Sequence, residues 1–167
     1  MPARGCAFKT FRPQFATIAL FCACVILPAG RIAADPGLVD LAGSWQGNGT
    51  MSFESGQSEG VSCNGYYKGT GRFSIVIRCK GETSNFELRS KLNVNGDQVT
   101  GGWEERTYNA KGDASGTASA GKLNVEFSGS LTGSLEMTFS SAKQSISVSV
   151  GTKGAGIKGV LIDLSRK

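Results

Sequence analysis

The chain has 167 residues, of which 40% are hydrophobic and 19% charged, and its formal net charge of +5 comes from 18 basic and 13 acidic residues. It contains no histidine, so Ser-His-Asp and Cys-His catalysis are excluded, together with the commonest metal ligand in proteins. Four basic residues precede Asp35, the first acidic one, and without them 14 basic residues face 13 acidic ones. Because we see no clustered basic patch in this remainder, no nucleic-acid partner is predicted.

The first 34 residues have the layout of a secretory signal peptide. Arg4, Lys9 and Arg12 form a basic start, an apolar run covers residues 15–27, and Ala33-Ala34 supplies the small residues that precede a cleavage site. We therefore predict that residues 1–34 are removed and that the mature protein is periplasmic or secreted.

What remains after the leader is the length of one domain. We expect residues 35–40 to be a short N-terminal segment and residues 41–167 to form a single domain with one core. No later apolar stretch approaches the roughly 18 to 20 residues that a membrane-spanning helix needs. The mature chain is therefore predicted to have no transmembrane segment.

From about Leu41 onward, apolar and polar residues alternate with period two, which predicts many short antiparallel strands. Clusters of Gly, Ser, Asn and Lys separate the runs, and Asn95-Gly96 is the strongest hairpin signal because these residues tolerate positive φ angles. The predicted strands cover residues 44–53, 61–67, 73–79, 86–94, 98–105, 112–120, 123–127, 135–139, 146–150 and 160–164.

Short links between consecutive strands favour an all-β, antiparallel up-and-down meander of about ten strands that closes into a barrel. A two-sheet β-sandwich fits the same alternation and stays open as an alternative. An integral outer-membrane barrel is disfavoured, because every strand has one strongly hydroxylated or charged face and the chain ends in Leu164-Ser165-Arg166-Lys167 rather than in an aromatic residue.

Cys63 and Cys79 are the two cysteines outside the leader, and we predict that they form a disulfide across a hairpin. Direct opposition of the two cysteines also pairs Tyr67 with Ile75 and Gly65 with Ile77. An exported protein meets oxidising conditions that preserve such a bridge, which is worth about 3 kcal/mol for a loop of this length. A redox-active pair is disfavoured, because there is no Cys-x-x-Cys motif.

Four inward-facing residues are candidates for lining a ligand pocket. Trp45, Tyr67, Trp103 and Glu105 share the parity of the apolar residues in their strands, and amphipathic groups of this kind often line pockets. The competing interpretation is that they fill the barrel core, with Glu105 solvated or paired at the barrel mouth. The neighbouring Glu104 points to the opposite face, so a catalytic carboxylate pair is not predicted. Catalytic residues, metal ligands and cofactors are likewise not predicted.

Gly43-Ser44-Trp45 in the first strand resembles the Gly-x-Trp motif of the calycin group, which contains the lipocalins and avidins. The resemblance implies a closed calycin-like barrel in which Trp45 packs at the closed end beneath Arg166, a cation–π contact worth about 0.5 to 2 kcal/mol. The chain lacks the extra tryptophans with which avidins line a biotin pocket, so no biotin site is implied. It also looks like a group of small exported bacterial proteins that share the Gly-x-Trp start, the two cysteines and a Gly-x-Trp-Glu strand.

These observations lead to two hypotheses about function. The first is a non-catalytic exported barrel that binds a small apolar or amphipathic ligand in its interior. The alternative is a protein-binding module of the cell envelope, for example a protease inhibitor or an envelope-docking protein, which would act through its loops and outer surface.

Overall fold

The computed structural model describes residues 37–167, and the predicted leader, residues 1–34, lies outside this range. A single 3₁₀ turn, Leu38–Leu41, precedes ten antiparallel strands. The strands are β1 Gly43–Phe53, β2 Ser58–Lys68, β3 Arg72–Lys80, β4 Asn85–Asn95, β5 Gln98–Glu105, β6 Ala110–Ser119, β7 Lys122–Gly129, β8 Gly133–Phe139, β9 Lys143–Val150 and β10 Ile157–Arg166.

Each strand pairs with the next one along the chain, and β10 pairs with β1 to close the barrel. The predicted meander and its closure are therefore confirmed, and the sandwich alternative is not the arrangement that forms. The apolar residues of each strand point inward and form one core, whereas the hydroxylated and charged residues at the alternate positions point outward. No helix in residues 37–167 is long and apolar enough to cross a membrane.

Closure of the barrel requires neighbouring backbones to approach closely at inward-facing glycines. A Cβ atom on Gly47 in β1 would lie 2.0 Å from the carbonyl oxygen of Asp163 in β10. A Cβ atom on Gly112 in β6 would lie 1.7 Å from the carbonyl oxygen of Ser128 in β7. No side chain fits at such distances, so glycine is required where these strands approach each other.

The predicted disulfide joins Cys63 and Cys79, both buried, and the register around it is the predicted one. Gly65 pairs with Ile77 and Tyr67 pairs with Ile75. The hairpin after β4 differs by one position from the expectation: Asn95 is still paired, with Gln98, and the two turn residues are Gly96 and Asp97. Gly96 takes the positive φ of 60° that the first turn position demands.

The up-and-down topology gives the barrel two distinct ends. We call the end at Leu38–Leu41, where β1 begins and β10 finishes, the closed end. The opposite end, called the open end, carries five interstrand loops. These are residues 54–57, 81–84, 106–109, 130–132 and 151–156.

Candidate functional site

At the closed end, Trp45 lies under a cationic side chain. Its ring is fully buried, its indole N–H donates to the carbonyl oxygen of Leu41 at 2.8 Å, and the Arg166 guanidinium carbon lies 4.4 Å from the ring centroid. The guanidinium also donates to three backbone carbonyl oxygens, those of Asp40, Ala42 and Ser141. The 3₁₀ turn and the β8–β9 loop are thereby fastened across the barrel bottom, and the stacking implied by the calycin resemblance is present.

Above Trp45, the interior of the closed half is filled by Tyr67 and its neighbours. The Tyr67 ring meets Trp45 edge-on and stacks on Phe73, with centroid distances of 6.4 and 6.1 Å. Its hydroxyl donates to Gln144 Oε1 at 2.6 Å, and burial raises the pKa of Tyr67 well above its ordinary value. Gln144 Nε2 is buried and has no hydrogen-bond partner within residues 37–167. Trp45 and Tyr67 therefore lie in the packed closed half.

The barrel interior contains a cavity of about 70 Å³, and most of its lining residues lie in the open half. Its walls are almost wholly apolar, with Trp103 as the largest ring and the Ser90 side chain and Glu105 as the polar residues. Six strands, β3 to β5 and β7 to β9, contribute wide aliphatic or aromatic side chains, whereas β6 contributes only the methyl group of Ala114. The principal apolar walls are Ile75, Phe86, Leu88, Leu92, Ala114, Leu123, Val125, Phe127, Leu131, Leu135, Val148 and Val150.

A second, wider pocket of about 350 Å³ forms the mouth at the open end. It shares five lining residues with the interior cavity, so the two spaces adjoin; the shared residues are Phe86, Glu105, Leu131, Val148 and Val150. The rim adds polar groups from the loops, among them Tyr108, Asn109 and Ser130. The arrangement is an apolar interior below a mouth of mixed polarity.

Trp103 is held rigidly against the cavity. Its indole N–H donates to the carbonyl oxygen of Ser128 at 3.1 Å, a contact that reaches past Gly112, the residue opposite Trp103 in β6. Phe127 meets the ring in a T-shaped contact with a centroid distance of 5.2 Å. Because its polar atom is bonded and its edge is packed, Trp103 presents only apolar surface to the cavity.

Glu105 organises the turn between β5 and β6. Its carboxylate accepts three backbone N–H groups: Glu87 at 2.8 Å and Thr107 at 3.2 Å on Oε1, and Tyr108 at 2.6 Å on Oε2. The side chain is 4% exposed, and it is the one buried carboxylate among residues 37–167. These backbone donors compensate its charge, which explains how a carboxylate is tolerated beside an apolar cavity.

Carboxylates also tie the open-end loops to one another. Glu59 on β2 accepts hydrogen bonds from the Thr83 backbone N–H at 2.7 Å and from the Thr83 hydroxyl at 3.0 Å. The bond from the backbone N–H is the main reason that the pKa of Glu59 is lowered. Glu54 accepts the Gly154 N–H at 2.9 Å and so links the β1–β2 loop to the β9–β10 loop. The mouth is therefore shaped by fixed loops rather than by free ones.

The four sequence-predicted lining residues thus divide between two places. Trp103 and Glu105 border the cavity, whereas Trp45 and Tyr67 lie in the closed half. Sequence reasoning missed the role of β6, whose inward residues are only alanine and glycine from Ala110 to Ala118. Small residues on one strand leave unfilled volume opposite them, and this was the available signal for the position of the cavity. No group of three or more His, Cys, Asp or Glu side chains suited to a metal ion occurs in the described part of the chain.

Comparison with known proteins shows likeness in structure alone. No protein-family model matches the chain. Among curated proteins, no sequence match was found. Rv2717c from M. tuberculosis has a similar structure, with a TM-score of 0.60, 14% identity, and coverage of 78% of this chain and 94% of that one. The S-type phycobiliprotein lyase CPES from Guillardia theta gives a TM-score of 0.56 at 11% identity, covering 78% and 90% respectively. At these identities the likeness shows the barrel fold.

Proposed function

We propose that this protein is a non-catalytic barrel that binds one small, largely apolar ligand through its open end. The observation that carries the proposal is the continuity between an apolar interior cavity and a wider mouth of mixed polarity, which share five lining residues. Ligand sites in proteins are commonly concave, mostly apolar and furnished with a few polar groups. β-Barrels of moderate strand number provide such sites in their interior.

The volumes support a ligand with a compact apolar group and a polar end. An interior of about 70 Å³ is smaller than engineered cavities of roughly 150 Å³ that bind benzene, so side chains around it must shift to admit a ring. The mouth of about 350 Å³ is of the size that holds the body of a small ligand. We expect the apolar end to lie against Trp103 and the polar end to lie near Tyr108, Asn109 and Ser130.

We place this activity outside the cytoplasm. The support is the buried Cys63–Cys79 bridge, which persists in oxidising compartments, together with the predicted signal peptide over residues 1–34. The absence of catalysis is supported by the lack of histidine in the chain and by the engagement of both Glu105 carboxylate oxygens by backbone donors.

The two tryptophans make a direct test possible, because one lies in each half of the barrel. Trp45→Phe leaves Trp103 as the sole indole, and Trp103→Phe leaves Trp45. The probe is 1-aminoanthracene, a flat apolar molecule with one amine. We expect saturable one-to-one quenching of Trp103 emission in the first variant and a much smaller change of Trp45 emission in the second. Equal quenching of both indoles, or no saturation, would contradict the proposal.

A cavity-filling pair of variants tests the position of the site. Ala114 borders the cavity, whereas Ala118 faces inward on the same strand in the closed half. Ala114→Leu is expected to weaken probe binding about tenfold or more by occupying the interior. Ala118→Leu adds the same atoms elsewhere and is expected to leave probe affinity within about twofold. An equal loss in both variants would place the probe outside the cavity. Recovery of one stoichiometric envelope protein, with no probe binding, would instead favour the protein-binding module.

A further inference from the structure

The outer surface of β2, β3 and β4 carries an unbalanced set of positive charges. Its strands contribute six outward cations and one outward carboxylate, Glu87, and we call this surface the basic face. Five of the cations are exposed and Arg89 is half-buried. The cations are Lys68, Arg72, Arg78, Lys80, Arg89 and Lys91.

Most of this charge is not neutralised within the barrel. Glu87 pairs with Arg78 at 3.3 Å and with Arg89 at 2.6 Å. The pKa of the Glu87 carboxyl is lowered, mainly because Arg89 donates a hydrogen bond to it. The other four cations of the basic face form no salt bridge with a carboxylate in residues 37–167. Glu104 on β5, opposite Arg89 in the register, marks the edge of the face.

The opposite side of the barrel is balanced. The outward residues of β6 to β9 include three cations and three carboxylates. They are Lys111, Lys122 and Lys143 against Asp113, Glu126 and Glu136. Positive charge is therefore concentrated on one side of the barrel. This finding corrects the sequence-based prediction that the cations are unclustered. Hairpin pairing brings together residues that lie up to 23 positions apart in the chain, such as Lys68 and Lys91.

The geometry of the face suits a broad surface rather than a small anion. Residues 72–80 of β3 extend over about 26 Å, and adjacent strands add about 4.8 Å each. Lys68 and Lys91 flank Ser74, and further along the barrel Tyr66 lies beside Val76. Tyr66 is 40% exposed, so an amphipathic ring projects among the cations. The cations of the face line neither the interior cavity nor the mouth.

We propose that the basic face docks onto the phosphate-bearing headgroups of an anionic lipid bilayer. A barrel wall is convex, and a fluid array of phosphates adapts to a convex set of cations better than a rigid partner does. Clustered lysines and arginines bind anionic bilayers at about 1 kcal/mol each, and a tyrosine ring is favoured at the bilayer interface. Nucleic acid fits less well, because single-stranded binding uses several aromatic platforms along a groove and this face offers one ring.

The test compares binding to vesicles of phosphatidylcholine alone with binding to vesicles that contain phosphatidylglycerol, by co-sedimentation at low ionic strength. The purified protein is expected to sediment with the anionic vesicles only and to be released by salt. Lys68→Glu with Lys91→Glu is expected to weaken partitioning about 30-fold or more, since two cations are lost. The matched control, Lys122→Glu with Lys143→Glu, makes the same change of net charge on the balanced side and is expected to change partitioning less than about threefold.

Each outcome decides the proposal. Equal losses in the two double variants would reduce the effect to net charge and overturn it. Tighter binding to single-stranded RNA than to anionic vesicles at equal phosphate concentration would also overturn it, in favour of nucleic acid. Binding to neither would overturn it as well. If the glutamate variant fails to fold, Lys68→Gln with Lys91→Gln removes the same two charges, and about a 30-fold loss is again expected. These results are independent of probe binding in the cavity.

Discussion

The two ends of this barrel are built from the same ten strands with the same alternation, yet aromatic side chains pack the interior near one end, whereas an apolar cavity lies toward the other. At the closed end, Trp45, Tyr67 and Phe73 occupy the interior, and Arg166 fastens the base. Toward the open end, Ala114 lines a cavity with Trp103 as its largest ring, and Ala110 lines the mouth above it. Alternation therefore decides which side chains point inward, whereas their volumes decide where space remains.

The two ends also differ in how their polar groups are used. At the closed end, the polar groups donate hydrogen bonds to partners in the interior or at the base. The donors are the Trp45 indole, the Tyr67 hydroxyl and the Arg166 guanidinium. At the open end, Glu54, Glu59 and Glu105 all accept backbone N–H groups and hold loops in place. The first arrangement stabilises the fold directly, and the second shapes an opening. This contrast supports the proposal that ligands enter at the open end.

The largest expected difference between the ends concerns their tryptophans. Trp45→Ala removes a fully buried ring together with its cation–π and edge contacts, so we expect it to lower the free energy of unfolding by about 4 kcal/mol. Trp103→Ala is expected to cost about 3 kcal/mol or less, because one side of that ring already faces empty space. Urea unfolding followed by circular dichroism measures both. A larger cost at Trp103 would reverse the comparison.

The buried tyrosine of the closed end gives a pH-dependent test. Tyr67→Phe leaves Gln144 Oε1 without its donor and is expected to cost about 2 kcal/mol at neutral pH. Because the folded-state pKa of Tyr67 is raised above its ordinary value of 10.0, its contribution is present below pH 10 and is lost as pH rises beyond it. The variant should therefore show a shallower alkaline loss of stability than the wild type. Tyr66→Phe, on the outer surface, is the control and should follow the wild type.

Packing density can be compared between the ends with one substitution at two positions. Ala118→Leu overfills the packed half and is expected to destabilise by about 2 kcal/mol. Ala114→Leu extends into the cavity and is expected to change the free energy of unfolding by less than about 1 kcal/mol. Urea midpoints of the two variants decide the matter. Equal destabilisation would mean that the open half packs as tightly as the closed half.

The smallest expected effect lies in the loop contacts of the open end. The folded-state pKa of Glu59 is below its ordinary value of 4.5, so its contribution is present above that pH and is lost as pH falls below it. Glu59→Gln should therefore reduce the difference in Tm between neutral pH and about pH 3. Glu126→Gln, exposed on the balanced side, serves as the control. An unchanged acid response in Glu59→Gln would mean that the Thr83 contact adds nothing to stability.

Much of the fold follows from local patterns that the sequence carries on its own. Period-two alternation predicts the ten strands, because side chains of a strand point alternately to its two faces. The cysteine positions predict the β2–β3 register, since directly opposed cysteines lie close enough to be bridged, and Tyr67–Ile75 pairing follows from that opposition. The Gly-x-Trp resemblance indicates the closed end through Trp45 and Arg166.

Other properties depend on contacts between segments that are distant in the chain, and only the tertiary structure decided them. The partners of Glu105 come from β4 and from the turn that follows β5, so its structural role is invisible to strand parity. The position of the cavity depends on the sum of side-chain volumes around ten strands, in which β6 contributes least. The basic face arises because closure of the hairpins aligns cations that the sequence spreads from Lys68 to Lys91. The alternation of inward and outward side chains is a property of one strand. The volume that the inward side chains fill and the sum of the outward charges are properties of the closed barrel.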